Sequence, residues 1–150
     1  MNTEKSYIYF KKLEKKIEHY FIEALIYLKL PLISLNFGKY KFNNEDSVAL
    51  YNPEQKYINL IYADFGFYHC NKTEDMNNID FHIFTIFHEI GHYWHDTWHN
   101  KHFEKYRSSH VTPINIESGE YNKQCLEKHA NNIAKILYKR LYKRDINEKI

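Results

Sequence analysis

Apolar residues fall at helical spacing in three stretches of this chain and alternate in a fourth. From Thr3 to Leu30, the residues Phe10, Leu13, Ile17, Tyr20, Phe21, Ala24, Leu25 and Leu28 recur at steps of three and four. That stripe predicts an amphipathic helix, which Pro31 ends. "LISLNFG" and "YKF" follow as short strand candidates. "SVALYNPEQKYINLIY" predicts two strands joined by a turn at Asn52–Pro53–Glu54–Gln55. Residues Ala63 to Asn78 are polar and read as loop. A second helix is expected from Asn78 or Asp80, either of which can cap it, to about His99, with Phe84, Phe87, Ile90 and Trp94 at helical steps. The polar stretch Asn100 to Asn122 reads as a long connection of the kind that is usually functional or mobile. A final helix is expected from about Asn122 to Arg144, with Leu126, Ala130, Ile133, Ala134, Leu137 and Leu141 facing inward. The sum is an α+β fold: an N-terminal helix, a small mostly antiparallel sheet and two further helices. No repeat or linker divides it, so residues 1–150 read as a single domain.

Composition narrows the classes. A hydrophobic fraction of 43% with 14 Tyr and 10 Phe argues for a packed core. The net charge of +2 is too mild to imply nucleic acid as a partner, and direct nucleic-acid binding is not expected. Cys70 and Cys125 do not make a disulfide framework and fit a reducing compartment. "MNTEKSYIYFKKLEKK" lacks the apolar run of a signal peptide, and the run from Tyr20 to Phe37 is broken by Glu23, Lys29 and Pro31. A cytoplasmic protein with no membrane partner is expected.

The candidate chemistry is concentrated in "FTIFHEIGHYWHDTWH", Phe84 to His99. On a helix, His88 and His92 project from one face about 5–6 Å apart at Cβ, so both can reach one Zn²⁺. Glu89 sits about 100° around the helix from His88, outside the ligand set but near a water in the metal's open position. This is the HExxH arrangement of zinc metallopeptidases, with Glu89 as general base. Gly91 inside the helix points to a close approach by another element.

Two histidines do not complete a catalytic zinc site, which takes three protein ligands. The metzincin pattern HExxHxxGxxH fails, because His95 and Trp98 stand at its Gly and final His positions. His95 shares the face of His92 but reaches the same ion poorly from one straight helix. His99, His102 and His110 in the following segment stay open as ligands. The better candidate is Glu127 in "CLEKHANNIAKIL", where Glu127, Ala130, Asn131 and Ala134 share a face and the two alanines allow close packing.

"HEIGH" followed by Glu127-x-x-Ala130-Asn131-x-Ile133-Ala134 resembles the ImmA/IrrE family of metallopeptidases. The resemblance spans roughly residues 45 to 140 and is carried by these two motifs. Ile133 stands where the family usually has Phe, and Gln124–Cys125–Leu126 where many relatives have a proline. The resemblance implies a zincin-like fold in which His88, His92 and Glu127 bind Zn²⁺ and Glu89 is the base. It also implies a substrate lying along an edge strand. The implied activity is that of a gluzincin-type endopeptidase of narrow specificity. Its protein substrate would be a helix-turn-helix repressor or another regulator, and its role the control of a phage or mobile element. The alternative is a non-catalytic zinc-binding interaction module of the same fold.

An oxyanion would need a second donor, for which Tyr106, His102 and His110 are candidates. Lys135, Lys139, Arg140, Lys143 and Arg144 form a basic stripe that reads first as a solvated face. His69–Cys70 lacks the CxxC partner of a metal pair and reads as loop.

Overall fold

The computed structural model describes residues 3–39, 49–62, 79–108 and 116–144. Helix α1 spans Thr3–Tyr27, followed by strands β1 (Ser34–Lys39), β2 (Ala49–Asn52) and β3 (Tyr57–Tyr62). Helices α2 (Ile79–Trp98), α3 (Asn100–Ser108) and α4 (Ile116–Leu137) come next, and α4 passes into a π-helical turn at Tyr138–Tyr142. The class is α+β, with four helices and a three-stranded sheet among the described residues. The strand expected at "YKF", the loop Ala63 to Asn78, His69, Cys70 and His110 lie outside the described residues.

The α1 stripe is buried along Leu13, Ile17, Tyr20, Phe21, Ala24 and Leu25. The helix stops earlier than Pro31 requires. Lys29 adopts φ 56°, its N–H donates to the Ile26 carbonyl, and the Leu30 N–H donates to the Leu25 carbonyl at 2.9 Å. This pair of bonds is a Schellman cap, and buried Leu30 supplies its apolar contact.

The sheet has strand order β1-β3-β2. β2 and β3 form the expected antiparallel hairpin, with Ala49 opposite Leu60 and Tyr51 opposite Ile58. Asn52 closes the turn, its Oδ1 accepting from the Glu54 and Gln55 N–H groups. β1 instead pairs with β3 in parallel, from Ser34 opposite Tyr57 to Lys39 opposite Tyr62. The sheet is therefore mixed, which corrects the mostly antiparallel arrangement expected. Alternation of apolar residues decides which face is buried but carries no information on strand direction, and a parallel pair needs a crossover. The segment between β1 and β3, β2 included, serves as that crossover.

The second correction concerns the polar stretch after α2. Residues Asn100–Ser108 are helical, and α4 begins at Ile116 rather than near Asn122. Phe103 is buried while its neighbours are polar, so one apolar anchor holds a helix that periodicity does not reveal. The α2–α3 junction is nearly continuous: the His99 N–H donates to His95 and the Phe103 N–H to His99. α2 lies at the centre of the fold, burying Ile83, Ile86, Phe87, Ile90 and Tyr93. Phe84 and Trp94, expected on its core face, are only partly buried. Among the described residues, no helix is long and apolar enough to cross a membrane.

Candidate metal centre

His88 and His92 lie one turn apart on α2, their ring centroids 4.8 Å apart and nearly perpendicular. Glu127 reaches them from α4, with Oε2 2.8 Å from His88 Nε2 and Oε1 3.2 Å from His92 Nε2. One ligand atom from each of the three side chains lies within 4.8 Å of the others, so the group could hold a metal ion. Among the described residues, no other three His, Cys, Asp or Glu side chains converge in this way. The imidazoles are largely sheltered, at 14% and 12% side-chain exposure, whereas Glu127 is 45% exposed. The centre is therefore reached by solvent from the Glu127 side.

The contact between α2 and α4 explains how Glu127 comes so close. A Cβ on Gly91 would fall 2.9 Å from both the Cα and the carbonyl oxygen of Ala130, and 3.2 Å from Ile133 Cβ. Glycine on one helix facing alanine on the other lets the two backbones approach, and Ala130 and Ala134 are fully buried at that seam. The sequence flagged all three residues for close packing, and the structure brings Gly91 against Ala130.

Electrostatics suit a cation. Burial alone would lower the His88 pKa, but the hydrogen bond to Glu127 and the nearby carboxylates outweigh it and raise the value. Hydrogen bonds from His88 and His92 hold the Glu127 carboxyl well below the usual range. The anionic Glu127 stabilises positive charge at this position, whether on the His88 ring or on a cation held between the three side chains. Asn131, one turn beyond Glu127, places Oδ1 2.7 Å from His88 Nδ1. An amide oxygen accepts only an N–H, so Nδ1 carries the proton and Nε2 faces the centre. The sequence reading placed Asn131 on this face without giving it a role; its four-residue step from Glu127 is the signal.

Glu89 is buried, and burial raises its pKa against the opposing influence of His92, His88 and the Tyr51 N–H. Its Oε2 accepts from the main-chain N–H of Tyr51 at 3.0 Å, which ties the β2 edge to α2. Tyr51 is held at its other end as well. Its hydroxyl donates to Asp96 Oδ2 at 2.6 Å, and buried Asp96 also pairs with Lys56 and accepts from Asn100 at 2.7 Å. These donors keep the Asp96 carboxyl low despite burial. Nothing in the sequence flagged Tyr51 or Asp96, because the contacts join segments about forty residues apart, one of them through a main-chain donor.

Four other histidines, His95, His99, His102 and His129, form a separate group. His95 Nε2 lies 2.8 Å from His102 Nδ1, and the His95 ring sits 4.2 Å from that of His129, which stacks on Trp94. Burial, followed by the neighbouring histidines, pushes the His95 pKa down to about 4. His102 packs against Tyr106. The structure thus places His95, His99 and His102 in this cluster and not with His88, His92 and Glu127. No family model, curated protein or solved structure matches the chain.

Proposed function

We propose that the protein is a zinc-dependent endopeptidase of the gluzincin type, zincin-like in fold and resembling the ImmA/IrrE family. The observation that carries this reading is the pairing of a three-ligand centre with a buried carboxylate on the adjoining residue. A metal held by His88, His92 and Glu127 for structure alone would not require a carboxylate beside it, and Glu89 keeps one oxygen beyond the bond to Tyr51. Two imidazoles and one carboxylate are the donor set of a catalytic zinc site that keeps its fourth position open, and solvent access beside Glu127 is consistent with that.

When bound, zinc would supply a water of lowered pKa and polarise the scissile carbonyl. The chain's own groups do the rest. Asn131 fixes the His88 tautomer, and His88, His92 and Glu127 would hold the ion. The Tyr51 N–H occupies Glu89 Oε2, which leaves Oε1 to accept a proton from water and deliver it to the leaving amine. Burial raises the Glu89 pKa toward the value a proton shuttle needs. Among the described residues β2 is an outer strand of the sheet, and its Tyr51 N–H points away from β3 to Glu89. Glu89 takes that N–H, so an extended substrate adding along this strand would pair with its other main-chain groups.

A regulator protein, of the helix-turn-helix repressor class, is the proposed substrate, with the cytoplasm as the site of action. The test is incubation of the zinc-loaded protein with helix-turn-helix repressors encoded in the same genome, read by intact mass. Cleavage at one bond, lost in Glu89→Gln, is expected. Cleavage that persists in Glu89→Gln would remove Glu89 from the reaction.

A further inference from the structure

Two ladders of side chains at four-residue steps face each other across the α2–α4 groove. On α2 the ladder is Phe84, His88, His92; on α4 and its π-helical turn it is Glu127, Asn131, Lys135, Lys139. Contacts across the groove fix the register. His92 and His88 meet Glu127, His88 meets Asn131, and Phe84 meets Tyr138 with ring centroids 6.0 Å apart. The helices run antiparallel. One turn beyond the His88–Asn131 pair, the groove opens into a pocket of about 430 Å³ lined by Phe84, Lys135, Tyr138, Lys139, Lys143 and Arg144.

The π-helical turn shapes this pocket. Four-residue rows drift around a regular α-helix, which would carry the later lysines away from the groove. The wider turn at Tyr138–Tyr142 takes up an extra residue and counters that drift. Buried Tyr142 locks the turn, its hydroxyl bonded to Asp80 and its ring edge-on to Tyr20. Asp80, the acidic residue at that end of α2, is thus engaged by a tyrosine. Lys135, Lys139 and Lys143 take part in no ion pair among the described residues. The result is a cationic wall over an aromatic floor, which begins one turn along the same groove from the His88–Asn131 pair.

We infer that this pocket is a substrate subsite for an acidic side chain, an inference that rests on the peptidase reading. Lys135 and Lys139 lie roughly two and three helical turns beyond Glu127, about 12–18 Å, which an extended peptide covers in about four to six residues. The substrate should therefore carry Asp or Glu at about that distance from the cleaved bond. Cations of this kind set specificity and encounter more than raw affinity.

The probe is a fluorescein-labelled dodecapeptide of alternating Glu and Ala, with a Gln/Ala peptide as its neutral counterpart. Binding to zinc-loaded Glu89→Gln protein is followed by anisotropy. The acidic peptide should bind in preference to the neutral one and weaken about tenfold in Lys135→Glu/Lys139→Glu, while Lys135→Arg/Lys139→Arg retains binding. Lys12→Glu/Lys15→Glu on exposed α1 positions makes the same change in net charge and should leave binding unaltered. Several results overturn the subsite: equal affinity for both peptides, no binding, equal weakening by the α1 variant, or tighter binding of duplex DNA at the same lysines. Zinc content of the same sample separates the two readings. Protein without zinc refutes the peptidase, whereas zinc-loaded protein without charge preference refutes the subsite alone.

Discussion

Gly91→Ala places a methyl group where the backbones of α2 and α4 meet. The added Cβ would sit 2.9 Å from the Cα and the carbonyl oxygen of Ala130. Ordinary carbon contacts begin at about 3.5 Å, so α4 must retreat by roughly 0.6 Å. Both opposing atoms are backbone, so no side-chain rotation relieves the clash. Alanine gains about 1 kcal/mol over glycine as a helix former, while overpacking of this kind costs about 1–3 kcal/mol. With backbone on both sides the cost belongs at the upper end, and a net loss of about 1–2 kcal/mol is expected. In a chain of this size that lowers Tm by roughly 2–8 °C. Glu127 lies one turn before Ala130 and moves with it, and metal–ligand distances tolerate only about 0.2 Å. Metal affinity should therefore fall by about tenfold or more. Thermal unfolding in chelator measures the first effect, and competition against a chromophoric zinc chelator measures the second. An unchanged or raised Tm with unchanged metal affinity would refute the close-packing argument.

Two further perturbations follow from the same geometry. Asn131→Ala removes the acceptor that fixes the His88 tautomer. Metal affinity should fall about 10–100-fold with little loss of stability, and an unaltered affinity would contradict the orienting role. His82, buried on α2, has its pKa pushed down to about 4 by burial, from 6.5. The unfolded chain then binds a proton that the folded chain refuses. Stability is retained above pH 6.5 and lost as pH falls toward 4, by about 3 kcal/mol at full extent. His82→Leu should flatten that part of the stability–pH curve, measured by urea unfolding in chelator, whereas parallel curves for the two proteins would contradict it.

How much of this was legible in the sequence depends on the range of the interaction. The α2 helix and its His88/His92 face follow from local spacing, as does the β2–β3 hairpin with its Asn52 turn. Glu127 could be singled out because Ala130 and Ala134 share its face, and the structure brings it to the histidines. The direction of β1 was not legible, because burial alternation is the same for parallel and antiparallel neighbours. Helix α3 was hidden by its polarity, with Phe103 as its one fully buried anchor. The π-helical turn leaves the periodicity of Leu137 and Leu141 intact and so gave no sign of itself. The Tyr51–Glu89 bond involves a main-chain donor, which no side-chain pattern encodes.

Zinc content tests the central claim most directly. Purified untagged protein and its Glu127→Ala and Glu89→Gln variants are equilibrated with zinc, dialysed and measured by elemental mass spectrometry. The account predicts about one zinc per chain in the wild type and in Glu89→Gln, and a large loss in Glu127→Ala. Zinc retained at full stoichiometry in Glu127→Ala, or bound by none of the three proteins, would contradict it.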